Sequence, residues 1–146
     1  MLERMTEAGR PLMVVASIEA RKLRHGSICS DHMLLAAVLQ PRDSMWGNAV
    51  DALYSLGATE EAVRQGVETR RVPLDDPPEF VPLSDEAKNV LYEALTAALS
   101  HEVEEASVVP THYLLAMMSR PEFAARQILE ALGVTSEALR KRLESG

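Results

Sequence analysis

The chain has 146 residues, a formal net charge of −7 and 47% hydrophobic residues, which is the composition of an ordinary soluble globular protein. Its negative charge would repel a phosphate backbone, so we expect no nucleic acid partner. No apolar run approaches the roughly 20 residues that a membrane span requires, and the N-terminus lacks the apolar core of a secretory signal. The single cysteine, Cys29, cannot form an internal disulfide and favours a cytoplasmic protein.

Helical periodicity dominates the first half of the chain. A first helix is predicted from an N-cap at Thr6, but Pro11 would stand at its fifth position and remove a backbone hydrogen bond. Either this helix begins at Pro11 or its first turn is loose. A second helix is predicted at about 31–40. A third ends at Gly57, which fits a left-handed C-terminal cap, and a fourth begins at Thr59.

A change of composition separates the two halves. Residues 70–83 read RRVPLDDPPEFVPL, and their four prolines predict a linker. The following stretch predicts a helix at about 84–100 with Ser84 as its N-cap. Its buried stripe has the spacing of one helix face: Ala87, Val90, Leu91, Ala94, Leu95 and Ala98.

Three shorter helices complete the second half. They are predicted at about 111–119, before Gly133, and from Thr135 or Ser136 to about Leu143. No strand pattern competes with these helices, so the predicted fold class is all-α.

The same order of segments occurs twice. SDHMLLAAVL at residues 30–39 is echoed by PTHYLLAMMS at residues 110–119. Matching residues lie 76 to 80 positions apart: Thr6 and Ser84, Ala16 and Ala94, His32 and His112, Gly57 and Gly133. We interpret the chain as two tandem repeats of four helices each, packed around a pseudo-twofold axis. The predicted organisation is a single domain, 1–146, with repeat one at about 6–69, the linker at about 70–83 and repeat two at about 84–144.

Four stretches carry a resemblance to a known family. They are MTE at residues 5–7, EARKLRH at 19–25, CSDHMLL at 29–35 and LG at 56–57. They resemble the F-T-x-x-A, E-A-x-x-L-G-H, G-T-E-H-I-L-L-x-L and L-G motifs of the N-terminal domain of Clp/Hsp100 unfoldases, in particular the ClpC branch. The resemblance extends over essentially the whole chain and implies the duplicated all-α fold of that domain.

This resemblance implies a non-enzymatic module of the Clp protease–chaperone system. Its partners would be client proteins or peptides, degrons, an adaptor, and Clp ATPase or protease components. The alternative is a free-standing protein that sequesters cyclic peptide antibiotics directed against a Clp unfoldase. The sequence contains no G-x-x-x-x-G-K-[ST] phosphate loop, so it gives no basis for ATP hydrolysis. Either the chain is a free-standing recognition domain or its motor lies outside this sequence.

Two candidate binding sites follow from the resemblance. The first is an apolar groove between the repeats, which takes cyclic peptides in actinobacterial members. Its matching positions here are Leu2, Met5, Arg10, Leu83, Lys88 and Tyr92. An equally good role for Leu2, Met5 and Leu83 is to close the hydrophobic core between the two repeats.

The second candidate site is the acidic residue of each T-E-H motif, which is implicated in phosphoarginine recognition. Here Asp31 and Thr111 occupy those positions, so we expect at most a weakened remnant.

The recurring histidines raise two hypotheses, a metal site and a catalytic site. Cys29 and His32 have the spacing of a zinc ligand pair, but the second half offers Val109 and His112, so a second pair is missing. We predict no metal and no cofactor. An enzyme built on these residues would need turnover that vanishes with Cys29→Ala or His32→Ala. We predict instead that each histidine, near the start of a short helix, hydrogen-bonds to loop backbone.

Overall fold

A computed structural model describes residues 2–100 and 107–145, with side chains from residue 7 onward. Within these ranges the chain forms eight helices and, apart from one parallel bridge between Ile28 and Leu83, no β-structure. None of these helices is long and apolar enough to cross a membrane. The all-α prediction is confirmed. The helices are α1 Leu2–Lys22, α2 Ser30–Val38, α3 Gly47–Ser55, α4 Glu60–Arg70, α5 Asp85–Leu99, α6 Pro110–Met117, α7 Ala124–Ala131 and α8 Ser136–Ser145.

The ends of the helices follow local sequence signals. The hydroxyls of Thr59, Ser84 and Thr135 accept the backbone N–H three residues onward, so α4, α5 and α8 begin with side-chain caps. Gly57 and Gly133 follow α3 and α7 with φ of 95° and 83°, a conformation that glycine adopts without steric cost. These predicted helix ends are confirmed in both halves of the chain.

Helix α1 differs from its prediction, because it runs through Pro11 and begins before Thr6. Pro11 removes one backbone donor from the helix interior. The helix continues because one of its faces is fully buried, at Ala8, Leu12, Ala16 and Ala20. Tertiary burial therefore outweighs the local cost of the proline. The carbonyl of Pro11 accepts a hydrogen bond from Gln40 Nε2 at 3.2 Å, which also ties α1 to the residues after α2.

Helix α2 lies at the centre of the fold. All its residues from Ser30 to Val38 are buried, and it packs against α1, α3, α4, α5, α6 and α7. Near it, the rings of Trp46 and Tyr113 stack with centroids 6.1 Å apart, and Trp46 Nε1 donates to the carbonyl of Ala8 at 3.0 Å. Burial raises the pKa of Tyr113 to about 12. The core is thus shared by the two halves.

One carboxylate joins helices from both halves. Glu86, in the first turn of α5, accepts the backbone N–H of Ser30 at 2.9 Å and that of Ala124 at 3.0 Å. Ser30 Oγ accepts the N–H of Ala125 at 2.9 Å. The first N–H groups of a helix have no partner inside the helix. Glu86 therefore caps α2 and α7 together, at the positive ends of both helix dipoles.

The linker, residues 72–83 after the C-cap residue of α4, is held against the first half by backbone hydrogen bonds. Leu74 donates to the carbonyl of Arg24, and Ile28 donates to that of Pro82. Arg24 has a φ of 63°, and it occupies the position where the resembling family motif has glycine. Between these anchors, Phe80 is 88% exposed. The predicted boundaries of the two repeats and of the domain stay a prediction.

Candidate functional site

The most polar part of the core surrounds the first histidine pair. His32 Nδ1 accepts the N–H of Cys29 at 3.0 Å, and His32 Nε2 lies 2.7 Å from His25 Nδ1. Because Nδ1 of His32 is an acceptor, the neutral ring carries its proton on Nε2 and donates it to His25. Burial, reinforced by the Arg71 cation, lowers the pKa of His25 and lowers that of His32 to about 4. Both rings are therefore neutral at neutral pH.

Asp31 is fully buried and is bound by an arginine from the end of α4. Arg71 Nε donates to Oδ2 at 2.8 Å and Arg71 Nη2 donates to Oδ1 at 3.1 Å. This bidentate geometry occupies both carboxylate oxygens and pairs the buried charge. Sequence reasoning missed Arg71, which it placed in the linker; only the basic pair Arg70 and Arg71 at the end of a helix hinted at it. Any client at Asp31 would have to displace Arg71.

The second half repeats the histidine geometry without the acid. His112 Nδ1 accepts the N–H of Val109 at 3.0 Å, as His32 does with Cys29. In both halves the ring stands at the third position of a short helix and caps its start. The predicted structural role of the recurring histidine is confirmed. Thr111, the counterpart of Asp31, is half-buried.

These contacts also bear on catalysis and metal binding at Cys29. One ring nitrogen of His32 accepts a backbone N–H and the other is hydrogen-bonded to His25. Neither nitrogen is therefore placed to act as a base for the buried thiol of Cys29. One ligand atom each from Cys29, Asp31 and His32 lies within 4.8 Å of the others. A metal ion there would have to displace both the cap on His32 and the arginine on Asp31, and it would face the Arg71 cation.

The predicted groove residues lie on three elements. Arg10 on α1 and Lys88 on α5 are exposed, Leu83 at the end of the linker is 36% exposed, and Tyr92 on α5 is 68% exposed. The side chains of Leu2 and Met5 lie outside the described residues. Two further apolar side chains on α1, Val14 and Ile18, are 52% and 49% exposed. The groove itself stays a prediction.

A cleft of about 580 Å³ opens between α5, α6 and α8. Its apolar lining includes Ala97, Leu115 and Leu143, and the exposed Arg140 stands at its edge. Sequence reasoning missed this cleft. The signal was available in the offsets between the halves, because Ala97 stands where the first half has Glu19.

Three comparisons place this fold among known proteins. Over 143 residues, 98% of this chain and 17% of that protein, the chain is 27% identical to the negative regulator of genetic competence ClpC/MecB of Bacillus subtilis. The N-terminal domain of the chaperone ClpD of Arabidopsis thaliana superposes with a TM-score of 0.73 at 18% identity, covering 99% of this chain and 98% of that one. A ClpV N-domain in complex with a VipB peptide has a TM-score of 0.60 at 18% identity, covering 97% and 90%.

The chain is thus about a sixth as long as the curated relative, so it matches one region of a larger protein. A family model, the Clp repeat (R) N-terminal domain, matches it twice, at residues 4–108 and 82–146. The second match begins at residue 82, at the end of the linker, and the first continues through α5 to residue 108, so the two matches overlap over α5. On these grounds the chain is a member of the Clp repeat N-terminal domain family.

Proposed function

We propose that this chain is a non-enzymatic module that binds client peptides or an adaptor for a Clp protease–chaperone system. The observation that carries the proposal is a set of large apolar side chains exposed on α1, on α5 and in the linker: Val14, Ile18, Phe80, Leu83 and Tyr92. Exposed apolar side chains that lie together are typical of protein interaction surfaces, and we propose that these five form such a surface. The ClpV relative, whose N-domain is in complex with a peptide, supports the same use of this fold.

The chemistry of the core favours binding over catalysis. The best candidate nucleophile, Cys29, is buried, and the ring nearest to it in sequence is fully engaged as a helix cap. Within the described residues, Asp31 with Arg71 and Glu19 with Arg64 are ion pairs whose carboxylates are buried, and each joins separate segments of the fold. We therefore assign the described polar clusters to structure and the exposed apolar surface to function.

The proposed contact surface is the predicted groove bordered by Arg10, Leu83, Lys88 and Tyr92. Calorimetric titration with an unfolded protein, such as reduced casein, should detect binding that Leu83→Asp and Tyr92→Ala weaken. Met45→Asp is the matched control, because Met45 is an exposed apolar side chain, 44% exposed, in the loop between α2 and α3. Circular dichroism must show that every variant keeps its helical content.

The titration separates three outcomes. Binding that survives both Leu83→Asp and Tyr92→Ala would show that the groove is assigned wrongly. An absence of any binding to unfolded proteins would contradict the client-binding function. Tight binding of cyclic peptides, with none to unfolded proteins, would favour the sequestration alternative instead. Phosphoarginine recognition at Asp31 and Thr111 stays a prediction; the Arg71 contact stands against it at Asp31, and Thr111 lines the cleft between α5, α6 and α8.

A further inference from the structure

The two halves differ at one point where their helices otherwise correspond. In the first half, Arg64 on α4 donates to Glu19 on α1 at 2.7 Å, so this pair links the two helices. The carboxylate is almost fully buried, with 6% of its side chain exposed. In the first half the arginine at this position is therefore already paired, and Leu35, the counterpart of Leu115, is fully buried.

In the second half, the arginine is present and the carboxylate is absent. Helix α8 repeats α4 at an offset of 76, which places Arg140 at the position of Arg64. Helix α5 repeats α1 at an offset of 78, which places Ala97 at the position of Glu19. Arg140 is exposed and forms no ion pair or hydrogen bond with any described residue. Between Arg140 and Ala97 lies the cleft of about 580 Å³.

The lining of the cleft defines what it can take. Leu143 lies three residues beyond Arg140 on α8, so the two side chains are neighbours on one helix face. Leu115, the counterpart of the buried Leu35, is only partly buried and lines the cleft. The occupant thus meets a cation directly beside an apolar floor. Two carboxylates also line the cleft, Glu93, which is paired with Arg120 at 2.8 Å, and Glu144, one turn beyond Arg140.

We propose that this cleft binds the C-terminus of a polypeptide whose last residue is apolar. The terminal α-carboxylate takes the place that the Glu19 carboxylate has in the first half and pairs with Arg140. The last side chain rests on Leu115 and Leu143. A chain terminus joins a negative charge and an apolar side chain at one carbon atom, which matches the adjacency of Arg140 and Leu143. The inference rests on the proposed peptide-binding function and names a substrate class for it.

The test uses three labelled peptides in fluorescence anisotropy: Gly-Ser-Gly-Ala-Leu-Leu with a free carboxylate, the same peptide as its C-terminal amide, and a version ending in two serines. The free acid should bind, and loss of the charged hydrogen bond should weaken the amide by about ten- to a hundredfold. The serine version should also be weaker, because it loses apolar burial. Arg140→Gln should reduce binding of the acid to the level of the amide.

Ala97→Glu is the decisive variant. It supplies in the second half the carboxylate that the first half already has, so it should close the cleft on Arg140 and abolish binding without lowering thermal stability. The double variant Ala97→Glu, Arg140→Gln checks that any gain in stability comes from this pair. Lys141→Gln, the next residue on α8, is exposed and is the matched control that should leave binding unchanged.

Equal binding of the acid and the amide, or binding unaffected by Ala97→Glu, would overturn the cleft assignment. An absence of binding to all three peptides would overturn it as well. Each of these three results concerns the cleft alone, and the proposed function is still tested by the titration with unfolded protein. There, weaker binding with Leu83→Asp and unchanged binding with Ala97→Glu would keep the function while removing this site.

Discussion

Replacement of Glu86 by glutamine should destabilise the fold much more than its half-exposed position suggests. The carboxylate accepts the first N–H groups of two helices, Ser30 of α2 and Ala124 of α7, with its two separate oxygens. Glutamine keeps the shape of the side chain but has only one acceptor. In either orientation of its amide, one N–H of the protein faces an NH₂ group and loses its bond.

The magnitude follows from these two bonds. Hydrogen bonds to a charged group contribute about 1.5–3 kcal/mol each, and a neutral bond contributes about 1 kcal/mol. Glu86→Gln loses one charged bond and weakens the other, so we expect a loss of about 2–4 kcal/mol of unfolding free energy. For a chain of this length, each kcal/mol lowers Tm by about 2–4 °C, so the fall should be of the order of 10 °C.

Urea denaturation followed by circular dichroism measures the change, and Asp85→Asn is the matched control. Asp85 is the exposed neighbour of Glu86 in the same helical turn, so the control removes the same charge near the helix start without the two capping bonds. Amide hydrogen exchange adds a local readout, because the amides of Ser30 and Ala124 should exchange faster in Glu86→Gln. If the two variants have equal denaturation midpoints, the capping role of Glu86 is wrong.

Three other substitutions test separate features of the fold. The pKa of His32 falls from its ordinary 6.5 to about 4, so the unfolded chain binds a proton first. The free energy of unfolding should therefore be constant above pH 6.5 and should fall by about 3 kcal/mol as the pH is lowered to 4. His32→Gln keeps a hydrogen-bond acceptor and should reduce this pH dependence in urea denaturation. An unchanged pH dependence would contradict the role of His32. Arg24→Gly should raise Tm, because it removes the cost of about 1–2 kcal/mol that a non-glycine residue pays in the left-handed backbone conformation. The variant also loses one exposed hydrogen bond to Asp75, so a fall in Tm would mean that this bond outweighs the strain. Gly66→Ala would place a Cβ 2.9 Å from Ile128 and should lower the free energy of unfolding in urea by about 1–3 kcal/mol. An unchanged free energy would contradict the close packing of α4 on α7 at this position.

The sequence was sufficient wherever one residue determines local geometry. Ser84, Thr59 and the glycines after α3 and α7 act through bonds or dihedral angles within a few residues, and their predicted roles are confirmed. Pro11 shows the limit of this reasoning. The hydrogen bond that it removes can be predicted from the sequence, whereas the burial of Leu12 and its neighbours, which keeps the helix intact, cannot. Local signals predict where helices start and stop, whereas distant packing decides whether a helix breaker succeeds.

The polar contacts that join distant parts of the chain could not be predicted in the same way. Glu86 and Ser30 are 56 positions apart, and no local sequence signal connects them. The cleft is an intermediate case. Its defining difference, Glu19 against Ala97, is visible when the halves are aligned, but its meaning depends on knowing that Arg64 reaches Glu19 across two helices. Comparison of the halves becomes informative only after one of them has been seen in three dimensions.

The pairing of Asp31 with Arg71 changes what the remnant acidic site can do. A client guanidinium at Asp31 would have to exchange with Arg71, because both carboxylate oxygens already bind this arginine, so the client gains only the difference between the two pairings. The first half thus satisfies its own carboxylates, Asp31 and Glu19, with its own arginines. The second half keeps Arg140 without an internal partner among the described residues, and for this reason we expect a charged ligand to bind there rather than at Asp31.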